Sequence, residues 1–293
     1  MLRIKKLPTF DSTASGAKNV VDLPLGLRYA AVWLELGNVE GDGDPLVANA
    51  LSDLVEDIVV KINGKPQRTH TADQLNRLNA LNGAAYAAKA FGTDGWPTRR
   101  LFLPIYFAEP WRKSPAEVSA MALRANGIES FQIEVNLKAG LASPVLQGFY
   151  EFDYDNRPIG LISKFIRQDY SAVGTSRDIT TIDKRDFIES IHLFETTGTA
   201  RYVAEVKLTA NGEEIRDRIT WNENAALLLG RELVPSSDDF RYDLVFDYDD
   251  PVNGALPTSI NGKPINELTL KVTWNDVANG TMQAIIKRTG PPE

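Results

Sequence analysis

The sequence predicts an all-β protein that contains two copies of one domain. Three observations lead to this prediction: strand-like segments dominate the chain, only two segments are typical of helices, and the motifs of the first half recur in the same order in the second half. The chain has 293 residues, which is long enough for two domains of ordinary size.

The strand-like segments are short, rich in β-branched and aromatic residues, and bounded by turn residues, as expected for β-strands. Both halves of the chain contain them, at a spacing that favours a β-sandwich or a jelly roll in each half. The clearest are residues 28–36, 56–62, 99–107, 130–137, 185–194, 201–208, 240–248 and 267–274.

Two segments have a helical composition instead. Residues 71–92 are rich in Ala and Leu, and Thr71 or Asp73 is the candidate N-cap. Residues 220–233 form the second segment, with Asn222 as the candidate N-cap. We therefore expect one helical excursion in each half.

A hairpin motif occurs in both halves. Residues 59–68 read VVKINGKPQR and residues 205–216 read EVKLTANGEEIR, and each is an alternating strand followed by Asn-Gly. Asn-Gly is the preferred pair for a two-residue hairpin turn. We match Lys61 with Lys207, at a separation of 146 residues.

Other matches flank the hairpins in the same order, and their separation falls along the chain. We infer that longer loops in the first copy, at 37–54 and 82–98, account for the fall, and that the domains are 1–144 and 145–293. The flanking matches are Leu2 with Leu161 and Lys5 with Lys164 at a separation of 159, and Ile128 with Ile265 at 137.

Composition excludes several classes of function. The formal net charge of −7 argues against a general nucleic-acid binder, which normally carries a basic surface. The absence of Cys excludes disulfides, thiolate catalysis and cysteine metal sites. The first residues lack the apolar run of a secretory signal, and no segment has 18 apolar residues in succession, so we expect folding in a cytoplasm.

Motifs of common enzymes are also missing. The sequence has no HExxH, no GxSxG, no P-loop and no GxGxxG after a strand. Its two histidines, His70 and His192, have no partner at metal-ligand spacing, and we interpret them as ordinary surface residues. No catalytic residue is predicted.

The carboxylates of a repeated FDYD motif are the remaining candidates. Asp153 and Asp155 share one face of a strand, as do Asp247 and Asp249, with neighbours roughly 7 Å apart. Three interpretations are open: aspartates that face water, an acid–base pair of an inverting glycosidase, or ligands of Ca²⁺. For a metal, the extended second motif favours Asp247, Asp249 and Asp250.

The N-terminal RIKK segment is the most compact cationic stretch. Arg3, Lys5 and Lys6 are candidates for contact with an anionic membrane or nucleic-acid surface. The alternative is a solvated strand, which the match of Lys5 with Lys164 favours.

Residues 21–36, 55–79 and 206–221 carry a resemblance to a known family. In pattern and order they resemble the major capsid protein of tailless, icosahedral, double-stranded-DNA phages with an internal membrane, of the corticovirus type. The resemblance covers most of the chain. It implies two tandem eight-stranded jelly rolls, a double jelly roll, with one helical excursion per roll.

The resemblance also implies a function. Such proteins form homotrimers, pseudo-hexagonal capsomers that tile an icosahedral shell around the membrane, and they are not enzymes. The expected partners are neighbouring capsomers, the penton and minor capsid or membrane proteins, and the membrane itself, without direct sequence-specific nucleic-acid binding. Arg3, Lys5 and Lys6 would face the membrane, and the loops 37–54 and 82–98 the outer surface or other capsomers.

The implied location is the virion capsid, after assembly in the host cytoplasm. No cofactor is expected, although Ca²⁺ at subunit interfaces is left open by the FDYD motifs. Two alternatives share the fold class. One is a tandem jelly-roll amidase that removes glycans, with Asp153, Asp155, Asp247 and Asp249 as candidates, and the other is a glycan-binding spike module of a virion.

Overall fold

The computed structural model divides into two compact units. The first contains Met1–Ser163 with Pro291–Glu293, and the second contains Lys164–Gly290. The structure describes residues 2–38, 50–91, 100–195, 203–236, 241–246, 256–260 and 262–293.

The first unit consists mainly of strands, with short helices between some of them. The strands are β1 Arg3–Lys6, β2 Lys18–Asp22, β3 Arg28–Asn38, β4 Val55–Ile62, β5 Lys65–His70, β6 Lys89–Phe91, β7 Arg100–Tyr106, β8 Leu123–Arg124, β9 Phe131–Leu137 and β10 Pro144–Asp153. The helices are α1 Ala50–Leu54, α2 Ala72–Leu81 and α3 Pro115–Ala120, with a single 3₁₀ turn at Ala84–Tyr86.

Two antiparallel sheets enclose the core of the first unit. One has the order β1-β10-β3-β7-β6, with β8 also paired to β3, and the other contains β2-β9-β4-β5. Alternate residues of each strand point inwards, so Val32 and Leu34 of β3 are buried with Ile58 and Val60 of β4 and Val135 of β9. The opposite face of the first sheet is left for polar and aromatic side chains.

The second unit is also mostly β. Its strands are β11 Ile162–Ile179, which begins at the unit boundary, β12 Phe187–Glu195, β13 Val203–Ala210, β14 Glu213–Thr220, β15 Arg241–Val245, β16 Ser259–Ile260, β17 Lys263–Pro264 and β18 Leu268–Gly290. Its helix is α4 Trp221–Leu229.

Strand β18 links the layers of the second unit. Its N-terminal part pairs with β13, which pairs with β14, and its C-terminal part pairs with β12, which pairs with β15. Val206 and Leu208 of β13 are buried in one core with Ile191 and Leu193 of β12 and Ile286 of β18. The sequence showed only residues 267–274 of this strand, because its polar middle interrupts the apolar alternation.

The boundary between the units differs from the predicted one. The prediction placed it at 144/145, whereas the first unit extends to Ser163. The reason is strand β10, which begins at Pro144 and pairs with both β1 and β3. Its hydrogen bonds keep it in the first unit.

The two hairpin turns are alike in detail. Asn63 and Gly64 have φ of 51° and 75°, and Asn211 and Gly212 have φ of 50° and 80°, a left-handed backbone that Asn and Gly tolerate best. The separation of the two asparagines is 148 residues, so the predicted match of Lys61 with Lys207, at 146, is displaced by two residues.

Each turn asparagine also accepts a hydrogen bond from a distant segment of its own unit, and the two segments are equivalent. The Oδ1 atom of Asn63 accepts from the backbone N–H of Glu129 at 2.8 Å, and that of Asn211 accepts from the N–H of Asn266 at 2.9 Å. Glu129 and Asn266 are 137 residues apart, which is the separation predicted for this part of the repeat. The shared contact supports duplication of one unit.

Helices α2 and α4 occupy the same place in the two units. Thr71 and Thr220 cap them through capping boxes with Gln74 and Glu223. The prediction of Asn222 as the cap of α4 is therefore wrong, because the hydroxyl of Thr220 accepts the N–H of Glu223.

The predicted helices are longer than the observed ones. Helix α2 ends at Leu81, just before Gly83 with φ of 117°, and α4 ends at Leu229. The first unit also contains α1 and α3 beyond the single predicted excursion. The cap of α3 was visible in the sequence as Ser114 followed by Pro115 and Glu117.

Candidate functional site

The N-terminal cations lie on an exposed edge strand. Arg3, Lys5 and Lys6 belong to β1, which is the outermost strand of its sheet and pairs with β10. Leu2 and Ile4 between them are also exposed, so the segment presents both cationic and aliphatic side chains. The Arg3 guanidinium lies 4.9 Å from the ring centre of Tyr154.

Arginines neutralise the first FDYD motif. The Nε atom of Arg28 donates to Oδ1 of Asp153 at 2.7 Å, and its Nη2 atom bonds the other oxygen. Oδ2 of Asp155 accepts from Nη2 of Arg157 at 2.7 Å and from Nε of Arg124 at 2.9 Å. Both carboxylates are therefore held in guanidinium pairs.

This environment bears on the chemistry expected of Asp155. Hydrogen bonds from Arg157, and then from Arg124, hold the pKa of Asp155 well below its usual range. A glycosidase acid requires the opposite, a carboxyl whose pKa is raised so that it keeps its proton. Asp155 is thus unsuited to act as the acid of such a pair.

The second FDYD motif lies outside the described residues. Residues 247–255 include Asp247, Asp249 and Asp250, so the predicted Ca²⁺ ligands keep the status of a prediction. Among the residues that the structure does describe, no three His, Asp or Glu side chains are grouped to hold a metal. Residues 39–49 of the loop 37–54 and residues 92–98 of the loop 82–98 also fall outside.

The prediction that the histidines are ordinary surface residues is wrong, since His70 and His192 are both buried. His192 is 3% exposed and lies between two partners. Its Nδ1 atom is 2.7 Å from Oδ1 of Asp243, and its Nε2 atom is 2.7 Å from Oγ of Ser190. The Nε atom of Arg241 donates to the other oxygen of Asp243 at 2.6 Å.

The arrangement Ser190–His192–Asp243 has the order of a nucleophilic triad, but its burial decides against catalysis. Ser190 is 4% exposed, and a substrate cannot reach its hydroxyl in this structure. Burial lowers the pKa of His192, although the hydrogen bond that its Nδ1–H donates to Asp243 opposes the change. Ser190, His192 and Asp243 therefore form a closed structural network together with Arg241.

The sequence contains one signal for this network, although the network itself was not predicted. Ser190 and His192 are two residues apart on one strand, and Arg241 and Asp243 are two apart on another. Each pair therefore shares a face of its strand. The pairing of β12 with β15 places His192 directly opposite Asp243, and strand pairing is the information that the sequence lacked.

A buried ionic cluster joins the two ends of the second unit. The Nζ atom of Lys164 is 2.6 Å from Oδ2 of Asp186, and Nη1 of Arg288 is 2.8 Å from Oδ2 of Asp183. Lys164 and Arg288 are each 2% exposed. Lys164 thus differs from its predicted match Lys5, which is exposed, so the match does not establish a solvated role for both.

In the described part of the chain, no helix combines the length and the apolar character needed to cross a membrane.

A family model matches the first half of the chain. Its description is "Viral coat protein P2 N-terminal domain", and it matches residues 4–153, just over half of the sequence. No curated protein sequence matches the chain.

Solved structures match almost all of it. The major capsid protein P2 from bacteriophage PM2 has a TM-score of 0.78 at 16% identity, with 100% of this chain and 98% of that chain covered. The STIV MCP has a TM-score of 0.67 at 11% identity, with coverage of 100% and 97%. VP54 of PBCV-1 has a TM-score of 0.65 at 12% identity, with coverage of 99% and 93%.

These matches confirm the predicted double jelly roll and the predicted resemblance to capsid proteins. The glycan-processing alternative is not supported, which agrees with the guanidinium pairs around Asp153 and Asp155. The relatives are structural proteins of virions and not enzymes. On the match over residues 4–153, the chain belongs to the viral coat protein P2 family.

Proposed function

We propose that the chain forms homotrimers, and that each trimer is a pseudo-hexagonal capsomer of an icosahedral shell around an internal membrane. The observation that carries this proposal is the duplication, down to the matched contacts of Asn63 and Asn211. Three chains with two similar units each supply six similar units. A closed three-fold ring of such chains has an almost six-fold outline, which suits the tiling of flat facets.

The exposed strand β1 supports a place against the membrane. Arg3, Lys5 and Lys6 offer positive charge to anionic headgroups, and Leu2 and Ile4 offer apolar surface beside it. The remaining partners in this proposal are neighbouring capsomers, the penton and minor capsid proteins. Assembly takes place in the host cytoplasm.

Light scattering on the purified chain tests the trimer. We expect a species of about 97 kDa, three times the 32.4 kDa of one chain, followed by hexagonal arrays in electron micrographs. Measurements with and without Ca²⁺ also test the proposed role of Asp247, Asp249 and Asp250, since Ca²⁺ should tighten assembly only while these carboxylates are present. A monomer at every concentration under both conditions would contradict the proposal.

Sedimentation with lipid vesicles tests the membrane contact. The triple variant Arg3→Ser, Lys5→Ser and Lys6→Ser should bind phosphatidylserine vesicles less than the parent chain does, and added salt should reduce the difference. The control is an equal loss of charge elsewhere, by Lys65→Ser, Lys263→Ser and Lys271→Ser, all exposed positions. Equal loss of binding in both triple variants would show that β1 has no specific role.

A further inference from the structure

One sheet of the first unit has an outward face that is rich in aromatic rings. Along β3 and β10 the side chains alternate, so Val32, Leu34 and Tyr150 enter the core while Trp33 and Phe149 point away from it. The strand register places Trp33 directly opposite Phe149, with β7 on the other side of β3.

The rings on this face contact one another. Trp33 stacks on Phe149 with centres 5.8 Å apart and meets the edge of Tyr106 at 5.9 Å. The ring centre of Phe102 lies 6.2 Å from that of Phe149 and 5.6 Å from that of Phe91. We name these five residues the aromatic face. Four of them are half-buried, and Phe91 at the edge is 60% exposed.

Several polar groups around the aromatic face already have partners. The indole N–H of Trp33 donates to Glu151 at 2.9 Å, and Gln147 donates to Glu35 at 2.9 Å. Arg100 lies 3.2 Å from the other oxygen of Glu35. These pairs stay satisfied when water leaves the surface, whereas the Nη1 atom of Arg100 is buried without a hydrogen-bond partner among the described residues and would need an acceptor from the bound surface.

Strand register identifies the same face in the second unit. His192 is the match of Trp33 at the predicted separation of 159, and it lies opposite Ile285 just as Trp33 lies opposite Phe149. In the second unit Arg241 lies opposite Phe194, and at the matching positions of the first unit Phe102 lies opposite Glu35. The helices make matching contacts with these strands. Asn79 of α2 donates to the carbonyl of Pro104, which lies opposite Trp33. Asn224 of α4 donates to the carbonyl of Asp243, which lies opposite His192.

The two equivalent faces differ in burial. His192, Ile285 and Arg241 are 3%, 0% and 4% exposed, whereas Trp33, Phe149 and Phe102 at the matching positions remain half-buried. Within a single chain, one copy of the face is thus fully buried and the other only partly. Partly exposed aromatic rings in a contiguous group are typical of contact surfaces.

We propose that the aromatic face of the first unit binds a second copy of this chain. The proposal rests on the proposed trimer and specifies its contact surface. A coat is built from many copies of one protein. In a closed ring of similar units, each unit binds the next unit through one surface and the previous unit through a second surface. The aromatic face, which is only partly buried in a single chain, is then a surface that a neighbouring chain covers.

Because the chain has no Cys, single introduced thiols can test this contact. Gln147→Cys places a thiol beside Phe149 at an exposed position, and Lys65→Cys places one at a hairpin turn away from the aromatic face. In trimers, a bulky maleimide should label the first thiol about tenfold more slowly than in chains dissociated by dilution. The second thiol should react at the same rate in both states.

A charge on the face provides an independent measurement. Phe91→Glu should raise the trimer dissociation constant by about tenfold, because aromatic side chains dominate such contacts. Tyr154→Glu is the matched control, since Tyr154 is an aromatic residue with 63% exposure outside the aromatic face. Circular dichroism of each variant establishes that the fold is retained.

The outcomes separate this proposal from the one on which it rests. Trimers in which Gln147→Cys is labelled at the dissociated rate, and Phe91→Glu associates like the parent chain, would overturn the aromatic face and leave the trimer standing. Protection of the thiol in virions but not in purified trimers would also overturn it, in favour of another occupant. Absence of any oligomer would overturn both proposals.

Discussion

His192 illustrates how single residues in the second unit depend on burial. A neutral imidazole between Ser190 and Asp243 satisfies both neighbours, while Arg241 balances the charge of the carboxylate. Although burial opposes it, Arg241 and His192 keep the pKa of Asp243 below its usual value. The network is thus stable with Asp243 ionised and His192 neutral.

Acid should therefore weaken the second unit through His192. Since the folded pKa of His192 is below the unfolded value of about 6.5, the unfolded chain binds more protons between the two values. The free energy of unfolding should fall as the pH drops below about 6.5. Urea titrations at a series of pH values measure this slope.

Two variants assign the slope to the imidazole. His192→Gln should cost about 2 kcal/mol near neutral pH through lost hydrogen bonds, and its stability should vary less between neutral pH and mild acid. Ser190→Ala removes one bond but keeps the titrating ring, so its slope should match that of the parent chain. An unchanged slope in His192→Gln would rule out His192 as its source.

A glycine at the end of β18 makes room for the ionic cluster. A Cβ atom at Gly290 would lie 2.1 Å from Oδ1 of Asp186, which is the partner of buried Lys164. We expect Gly290→Ala to cost about 3 kcal/mol or more in unfolding free energy, because it displaces one half of a buried ion pair. Gly160→Ala is the control, since its nearest neighbour is an ordinary 3.5 Å away. Equal stability of the two variants would contradict this account.

At the scale of elements, the two copies conserve the hairpin turn and the helix cap while their loops differ. Asn63 and Asn211 serve as turn residue and as anchor for a distant segment at once. The caps Thr71 and Thr220 fix where α2 and α4 begin. These local features hold the duplicated unit in one form.

The cap of α4 can be tested against the residue that the sequence favoured. Thr220→Ala should lower the unfolding free energy by about 1 kcal/mol, because the N–H of Glu223 loses its acceptor. Asn222→Ala, within the first turn of the helix, should change it by much less. Chemical unfolding compares the two variants, and a larger effect at Asn222 would restore the original prediction.

Local pattern explains which elements could be predicted. Strands β3, β4, β9 and β13 alternate clearly and were predicted within a few residues. Strand β11 was missed because most of its 18 residues are polar, without a sustained apolar period to reveal them. The His192 network depends on which strands pair, so no local window contained it.

At the scale of the molecule, the net charge of the chain affects how its copies assemble. The net charge of −7 means that the proposed trimers should repel one another at long range. Apolar contacts between trimers are insensitive to salt, whereas this repulsion is screened by it.

Higher ionic strength should therefore favour growth from trimers to arrays. We expect light scattering to increase between about 0.05 M and about 0.5 M salt at constant protein concentration, as the Debye length shrinks. Reversal of the charge at several exposed aspartates provides a control with a weaker salt response. Dissolution of arrays by salt would instead indicate that attractive ion pairs dominate between trimers.

The divergence of Trp33 and His192 at one matched position has a genetic consequence. A ring of six identical single-unit chains would have to place the same side chain at that position in every unit. Fusion of two units fixes them in a one-to-one ratio and frees each to accept mutations that the other could not tolerate. One copy can then specialise in a buried polar network within its own unit while the other evolves to recruit neighbouring chains.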